Sequence, residues 1–133
     1  MNVVFADAFY FVALLNRADQ HHQKTAAAAR DLRSKLATTE WILAEVADAL
    51  AASASRRLAV SFIRDLAQDP KVKIIPATTD LFQRGLQLYE NRPDKQWSLT
   101  DCISFVTMQD EGIADALTGD EHFVQAGFKA LLR

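Results

Sequence analysis

Three scarcities narrow the reading of this chain first. It holds one cysteine, Cys102, among 133 residues, so no internal disulfide can form, which suits a reducing compartment. It lacks an excess of either charge: 15 Lys and Arg stand against 17 Asp and Glu, a formal net charge of −2. That argues against the broad basic footprint of a protein that grips nucleic acid by charge alone. It leaves room for nucleic-acid chemistry at a metal centre, where bound cations reverse a negative field. Third, no hydrophobic run is long enough to cross a bilayer. The most apolar stretch, VVFADAFYFVALL at 3–15, is too short and is broken by Asp7. It has no basic region ahead of it and runs into NRADQHHQK without a convincing cleavage site, so a secretory leader is not expected. No repeat, low-complexity tract or linker divides the sequence. A cytoplasmic, non-membrane protein of one domain, residues 1–133, is the expectation.

What is present is ordinary globular material, 50% hydrophobic and 24% charged, enough to bury a core without staples. Residues 2–6 read as a buried strand and 8–16 as an apolar helix. A helical pattern follows over 20–36, then a short strand and a cap in LATTE at 36–40, with Thr39 as N-cap. The next helix is expected over Glu40 to Ala54, with Ile42, Val46, Ala49 and Leu50 on one face, and another over Arg57 to Ala67. KVKIIP at 71–76 reads as a strand. Residues 79–89 read as a helix, with Leu81, Phe82, Leu86 and Tyr89 at helical spacing. A polar loop at 90–97 precedes SLTD at 98–101, which has the form of a capping box and opens a helix to about Glu111. A strand over 114–118, a Gly119-Asp120 turn, one helical turn and a last short strand in AGFKALL complete the pattern. Strands separated by helices imply crossover connections and a mostly parallel sheet.

In such a sheet the reactive groups gather beyond the carboxyl ends of the strands. Asp7 follows the first strand and Asp120 the strand at 114–118, so both belong on that rim. Glu45 borders the apolar stripe of its helix and is expected off the solvent face. Asp101 lies in the first turn of a largely apolar helix. No Lys or Arg has comparable placement. Converging acids without basic partners repel one another unless some are protonated or a cation lies between them. Oxygen ligands without a Cys or His cluster suit Mg²⁺ or Mn²⁺.

Each acid also has a structural explanation. Asp7 can cap the first helix, Asp101 can complete the capping box with Ser98, and Asp120 can serve the turn after Gly119. Glu45 has no such explanation. His21 and His22 are adjacent, so on a helix they diverge and do not share an ion; a surface or helix-start role fits them better. Cys102 has no base at a recognisable spacing and reads as a small core residue. Trp41 and Trp97 read as packing anchors, although Trp97 precedes the Asp101 helix and can line a groove. Arg56, Arg57, Arg64, Arg92 and Lys95 are candidate phosphate contacts.

Taken together, FADAFYFVALLNRADQHH with Asp7, TTEWILAEV with Glu45, WSLTDCISFVTM with Asp101 and ALTGDEHFVQAGF with Asp120 resemble the PIN domains. The likeness is closest to the VapC-like toxin ribonucleases and covers nearly the whole chain. The resemblance implies a three-layer α/β/α sandwich with a mostly parallel central sheet, and hydrolysis of RNA phosphodiesters with Mg²⁺ or Mn²⁺. It implies Asp7, Glu45, Asp101 and Asp120 as the acidic quartet and Thr118 as an accessory hydroxyl. It also implies an RNA substrate, a small antitoxin partner and a homodimer. Asp7 and Asp101 are the candidates for direct ligands. Asp120 is a ligand or acts through water, and Glu45 ligates a second ion or orients the nucleophile. Asp115 is at most an accessory acid. One departure stands out: the residue after the first Asp is commonly Thr or Ser in relatives and is Ala8 here, which removes a hydroxyl that could orient the carboxylate.

Two rivals are weaker. An aspartyl-phosphate phosphatase needs an Asp two residues after the first, where this chain has Phe9. A receiver-type signalling domain needs a phosphorylated Asp after a central strand and a Lys near a later one, and VKIIPATTD offers no such acid. The alternative within the family is a catalytically weak member that serves as an RNA- or protein-binding module.

Overall fold

The computed structural model describes residues 2–133. In chain order the elements are β1 (Val3–Ala6), α1 (Ala8–Leu15), α2 (His22–Asp31), β2 (Lys35–Thr39), α3 (Glu40–Ala49) and α4 (Ser53–Gln68). There follow β3 (Val72–Ile75), α5 (Thr79–Asn91), α6 (Leu99–Glu111), β4 (Asp115–Leu117), α7 (Glu121–Gln125) and β5 (Lys129–Ala130). The strands form one sheet in the order β3-β2-β1-β4-β5. All four pairings are parallel, with Phe5 level with Ala37 on one side and Ala116 on the other.

Parallel sheets are covered on both faces, and the helices divide accordingly. α1 packs on α2 and α3, and α3 on α4; α5 packs on α6, and α6 on α7. The result is the three-layer α/β/α sandwich expected from the sequence. β1 is central, and Phe5 and Ala6 are fully buried. From β1 the chain builds outward through β2 to β3, then crosses back to place β4 on the other side of β1. The connections therefore diverge at the carboxyl ends of β1 and β4, the crevice where open α/β sheets bind ligands.

Local chemistry sets several boundaries. The Thr39 hydroxyl accepts from the Ile42 N–H (3.1 Å) and starts α3. The capping box at α6 is complete: Ser98 Oγ accepts from the Asp101 N–H and Asp101 Oδ2 from the Ser98 N–H, both at 3.0 Å. Gly112 ends α6 with a φ of 68°, the left-handed conformation that glycine adopts without strain.

Three expectations are corrected. The helix expected over 20–36 is shorter and gives way to β2 at Lys35. The helix expected to reach Ala54 stops at Ala49, α4 begins at Ser53 rather than Arg57, and Ala49 is exposed instead of joining the apolar stripe. The break needs no Gly or Pro because α4 satisfies the carbonyls at the corner. Ser55 Oγ donates to the Leu50 carbonyl (3.0 Å) and the Arg56 guanidinium to that of Ala51 (2.8 Å). On α5 the buried face is Leu81 and Gly85, while Phe82, Leu86 and Tyr89 are exposed.

Gly85 explains which face α5 turns inward. A Cβ there would collide with the side chain of Ile103 on α6 and lie 3.1 Å from its Cα. The two helices approach through a missing side chain. Among the described residues no helix is long and apolar enough to cross a membrane. Gly85→Ala gains helix propensity but overpacks this contact. It is expected to destabilise the fold by about 1–3 kcal/mol, read from urea unfolding; a stabilised variant would show that the close approach is not a constraint.

Candidate metal centre

Asp7 occupies the N-cap position of α1, yet its side chain makes no capping hydrogen bond. Its carboxylate turns instead to the neighbouring strand. Thr118 Oγ1, fully buried, donates to Asp7 Oδ2 (2.8 Å) and accepts from the Asp120 N–H (3.1 Å). One hydroxyl thus links the residue after β1 to the loop after β4. Gly119 lies between Thr118 and Asp120 against the ring of Phe9, where a Cβ would come within 2.6 Å of Cζ.

Asp120 caps α7 by accepting from the His122 N–H (2.9 Å), so the turn role foreseen for it holds. The same bond folds His122 back toward the rim. His122 Nδ1 lies 3.0 Å from Asp101 Oδ2 and 3.5 Å from Asp120 Oδ1. One ligand atom from each of Asp101, Asp120 and His122 lies within 4.8 Å of the others. Packing fixes this arrangement. Phe105 on α6 meets Trp97 and Phe123 edge to face, each with centroids 5.0 Å apart. Trp97 Nε1 donates to Gln125 Oε1 (3.1 Å). Both tryptophan and phenylalanine therefore lock the start of α6, with Asp101, onto α7, with His122. Trp97 is the packing anchor expected.

Glu45 is a partial correction. The residue is exposed, one position short of the buried Val46. Its carboxyl end nonetheless lies within electrostatic reach of Asp7 and Asp101. Asp115 is corrected outright: it opens β4, beside Lys129, at the opposite end of the strand from Asp120, so it takes no part in the cluster.

The electrostatics follow from this layout. Burial pushes the Asp7 carboxyl up to about 7, against the opposing Thr118 hydrogen bond and the nearby Ala8 N–H, and Asp101 and Glu45 add to the rise. Glu45 is also raised, by partial burial and then by Asp101, while the Thr100 hydroxyl acts against the rise. Among the described residues no Lys or Arg comes within 4.0 Å of Asp7, Glu45, Asp101 or Asp120, and His122 is the basic side chain that does. A divalent ion fits this donor set. The acids lack cationic partners, and Asp7 is held near the point where a cation would tip it into its charged form.

The sequence reading missed His122. The two adjacent histidines drew attention instead. His21 stands at the N-cap position of α2, its ring tilted against that of Phe9, and His22 Nδ1 bonds the Ala13 carbonyl (2.8 Å). The signal for His122 was its place two residues after an acid already assigned to the rim. Among the five candidate phosphate contacts, Arg56 serves the α3–α4 corner and Arg92 is paired with Asp94 (3.0 Å) over the Trp97 ring. Arg57 and Arg64 are exposed on α4. Lys95 lines a cleft of about 220 Å³ together with His122.

The model of the PIN domain matches residues 4–129. The chain belongs to the PIN domain family. Solved structures with the same fold agree. VapC20 of Mycobacterium tuberculosis, a sarcin-ricin loop cleaving toxin, is 24% identical with a TM-score of 0.86, over 94% of this chain and 95% of that one. FitAcB from Neisseria gonorrhoeae is 15% identical with a TM-score of 0.69, over 96% and 95%. VapBC2 from Rickettsia felis, solved with a DNA fragment from their promoter, is 12% identical with a TM-score of 0.66, over 96% of each chain. A search of the curated proteins finds no match.

The raised Asp7 pKa makes a prediction for this PIN domain without metal. The folded state binds a proton at higher pH than the unfolded chain does, so stability rises as pH falls through about 7. The gain ends near the ordinary carboxylate range, about 4. At pH 8 the ionised group is a cost, and Asp7→Asn is expected to be more stable than the wild type by on the order of a few kcal/mol. Most of that advantage should vanish at pH 5. Urea unfolding in EDTA at the two pH values checks this; equal stability at pH 8 would refute it.

Proposed function

We propose that this PIN domain, as one nuclease unit, is a divalent-metal-dependent endoribonuclease and the toxin of a type II toxin–antitoxin pair. The observation that carries the reading is the convergence of Asp7, Asp101 and Asp120 on the crevice between β1 and β4 with no Lys or Arg to neutralise them. Family membership and the fold shared with VapC20, a sarcin-ricin loop cleaving toxin, support it. Asp7, Asp101 and Asp120 would hold Mg²⁺ or Mn²⁺, with Glu45 on the rim. When bound, such an ion lowers the pKa of its water and neutralises charge on the phosphate being cleaved.

The chain's own residues supply the rest. Thr118 fixes Asp7 and Asp120 at one spacing, so the acids need no rearrangement to act together. The capping box holds Asp101 through Oδ2. Glu45, raised and exposed at the rim, takes the proton of the attacking water through a carboxylate oxygen. Lys95 contacts a phosphate beside the site. Two clefts, of about 620 and 220 Å³, share Lys95 and Gln96 and give a strand a path from Tyr89 toward His122. The protein acts in the cytoplasm with a small antitoxin as inhibitor, and it forms a homodimer. The exposed stripe of Phe82, Leu86 and Tyr89 along α5 is consistent with an apolar interface.

Cleavage of RNA by the purified chain should require added Mg²⁺ or Mn²⁺ and stop in EDTA. Asp101→Asn can still accept the Ser98 N–H, so it should fold, yet lose at least about a hundredfold in rate. Cleavage that persists in EDTA or in this variant would sink the metal mechanism. A chain that binds RNA but cuts none would point to a binding module.

Lys95→Ala should raise KM for RNA about threefold or more with kcat nearly unchanged, the pattern of a contact made equally in ground and transition states. Steady-state kinetics on one RNA decides it; an unchanged KM would remove Lys95 from the substrate path.

A further inference from the structure

We infer that His122 is itself a ligand of the cation site and makes it prefer Mn²⁺ to Mg²⁺. The inference rests on the metal-dependent reading above and adds a donor that none of the four acids supplies. A neutral imidazole nitrogen can donate one hydrogen bond or accept one; it cannot serve two carboxylates at once by donation. Nδ1 of His122 nevertheless stands 3.0 Å from Asp101 Oδ2 and 3.5 Å from Asp120 Oδ1. Two donors at right angles around an ion about 2.1 Å from each lie roughly 3.0 Å apart. The Asp101 spacing is that of neighbouring corners of one coordination shell as well as of a hydrogen bond, and the α7 cap holds Asp120 Oδ1 beside the same nitrogen, so one ion can reach all three donors.

The ring is also held in place. The His122 N–H is bound to Asp120 Oδ1, and the next residue, Phe123, is fully buried against Phe105 and Phe5. The first turn of α7 cannot swing away without breaking that cluster. Asp101 Oδ2, the oxygen 3.0 Å from Nδ1, also accepts the Ser98 N–H, and a carboxylate oxygen has a second lone pair for an ion. An ion can thus be bound by Asp101 without dismantling the capping box.

The donor set decides the ion. Mg²⁺ takes oxygen ligands and retains its waters, whereas a first-row transition ion accepts imidazole nitrogen readily. One nitrogen among carboxylates tilts the site toward Mn²⁺.

The test is Mn²⁺ titrated into the purified metal-free chain and followed by electron paramagnetic resonance, with echo-envelope modulation on the bound ion. The expected result is modulation from one directly bonded ¹⁴N in the wild type, absent in His122→Asn. Calorimetry should show the Mn²⁺ Kd weakened at least about tenfold in His122→Asn, and the Mg²⁺ Kd changed less than about threefold. Bound Mn²⁺ without nitrogen modulation overturns the inference and leaves the metal site standing. A parallel loss of both ions in His122→Asn does the same, and makes His122 a residue that only positions Asp101. Failure of the wild type to bind either ion overturns both. The nitrogen signal is read on the wild type, so a variant that folds poorly does not remove the test.

Discussion

A single hydroxyl, Oγ1 of Thr118, joins the two sides of the crevice. It donates to the carboxylate after β1 and accepts from the backbone before α7. Thr118 and Asp7 are 111 residues apart in sequence, and nothing local brings them together. Only the parallel pairing of β1 with β4 does so. The fold's first task is therefore to set that pairing, and the sheet order accomplishes it by returning the chain across β1 after β3. Remove the hydroxyl and the buried Asp7 would keep its desolvation cost while losing its principal compensation.

The arrangement is a local expense to the fold. A carboxylate buried beside other carboxylates weakens a fold that could have placed an apolar residue there. Natural sites of this kind store instability where chemistry needs charge. The surrounding packing compensates: Phe5, Phe105 and Phe123 form a continuous aromatic cluster under the rim, and Trp97 closes it at the start of α6. The rigid layer beneath allows the acids above it to be held against their mutual repulsion.

Much of this was legible in the sequence because the signals were local. A strand running into a helix with an acid at the junction, the SLTD capping box and the alternation of strands with helices all depend on neighbours in the chain. They point to the layers, the parallel sheet, the rim positions of Asp7 and Asp120, and Asp101 in the first turn of its helix. What escaped was set by tertiary contact. The α3–α4 break lies in a run of alanines with good helix propensity, and it exists because Ser55 and Arg56 reach back to cap carbonyls. The inward face of α5 was misjudged because glycine, with no side chain, carries no apolar signal, although Gly85 is where α6 comes nearest. Glu45 looked shielded from its helical phase but stands at the open margin of its stripe. His122 belongs to a five-residue helix too short to show periodicity, and its neighbours in space come from α6.

The outer strands also constrain how this molecule meets others. β5 consists of Lys129 and Ala130 alone, and β3 presents four residues, among them Lys73, which pairs with Glu111. So few exposed amides and carbonyls, with a charge among them, give another polypeptide little template on which to add a sixth strand. The sheet is thereby guarded against growth from either border.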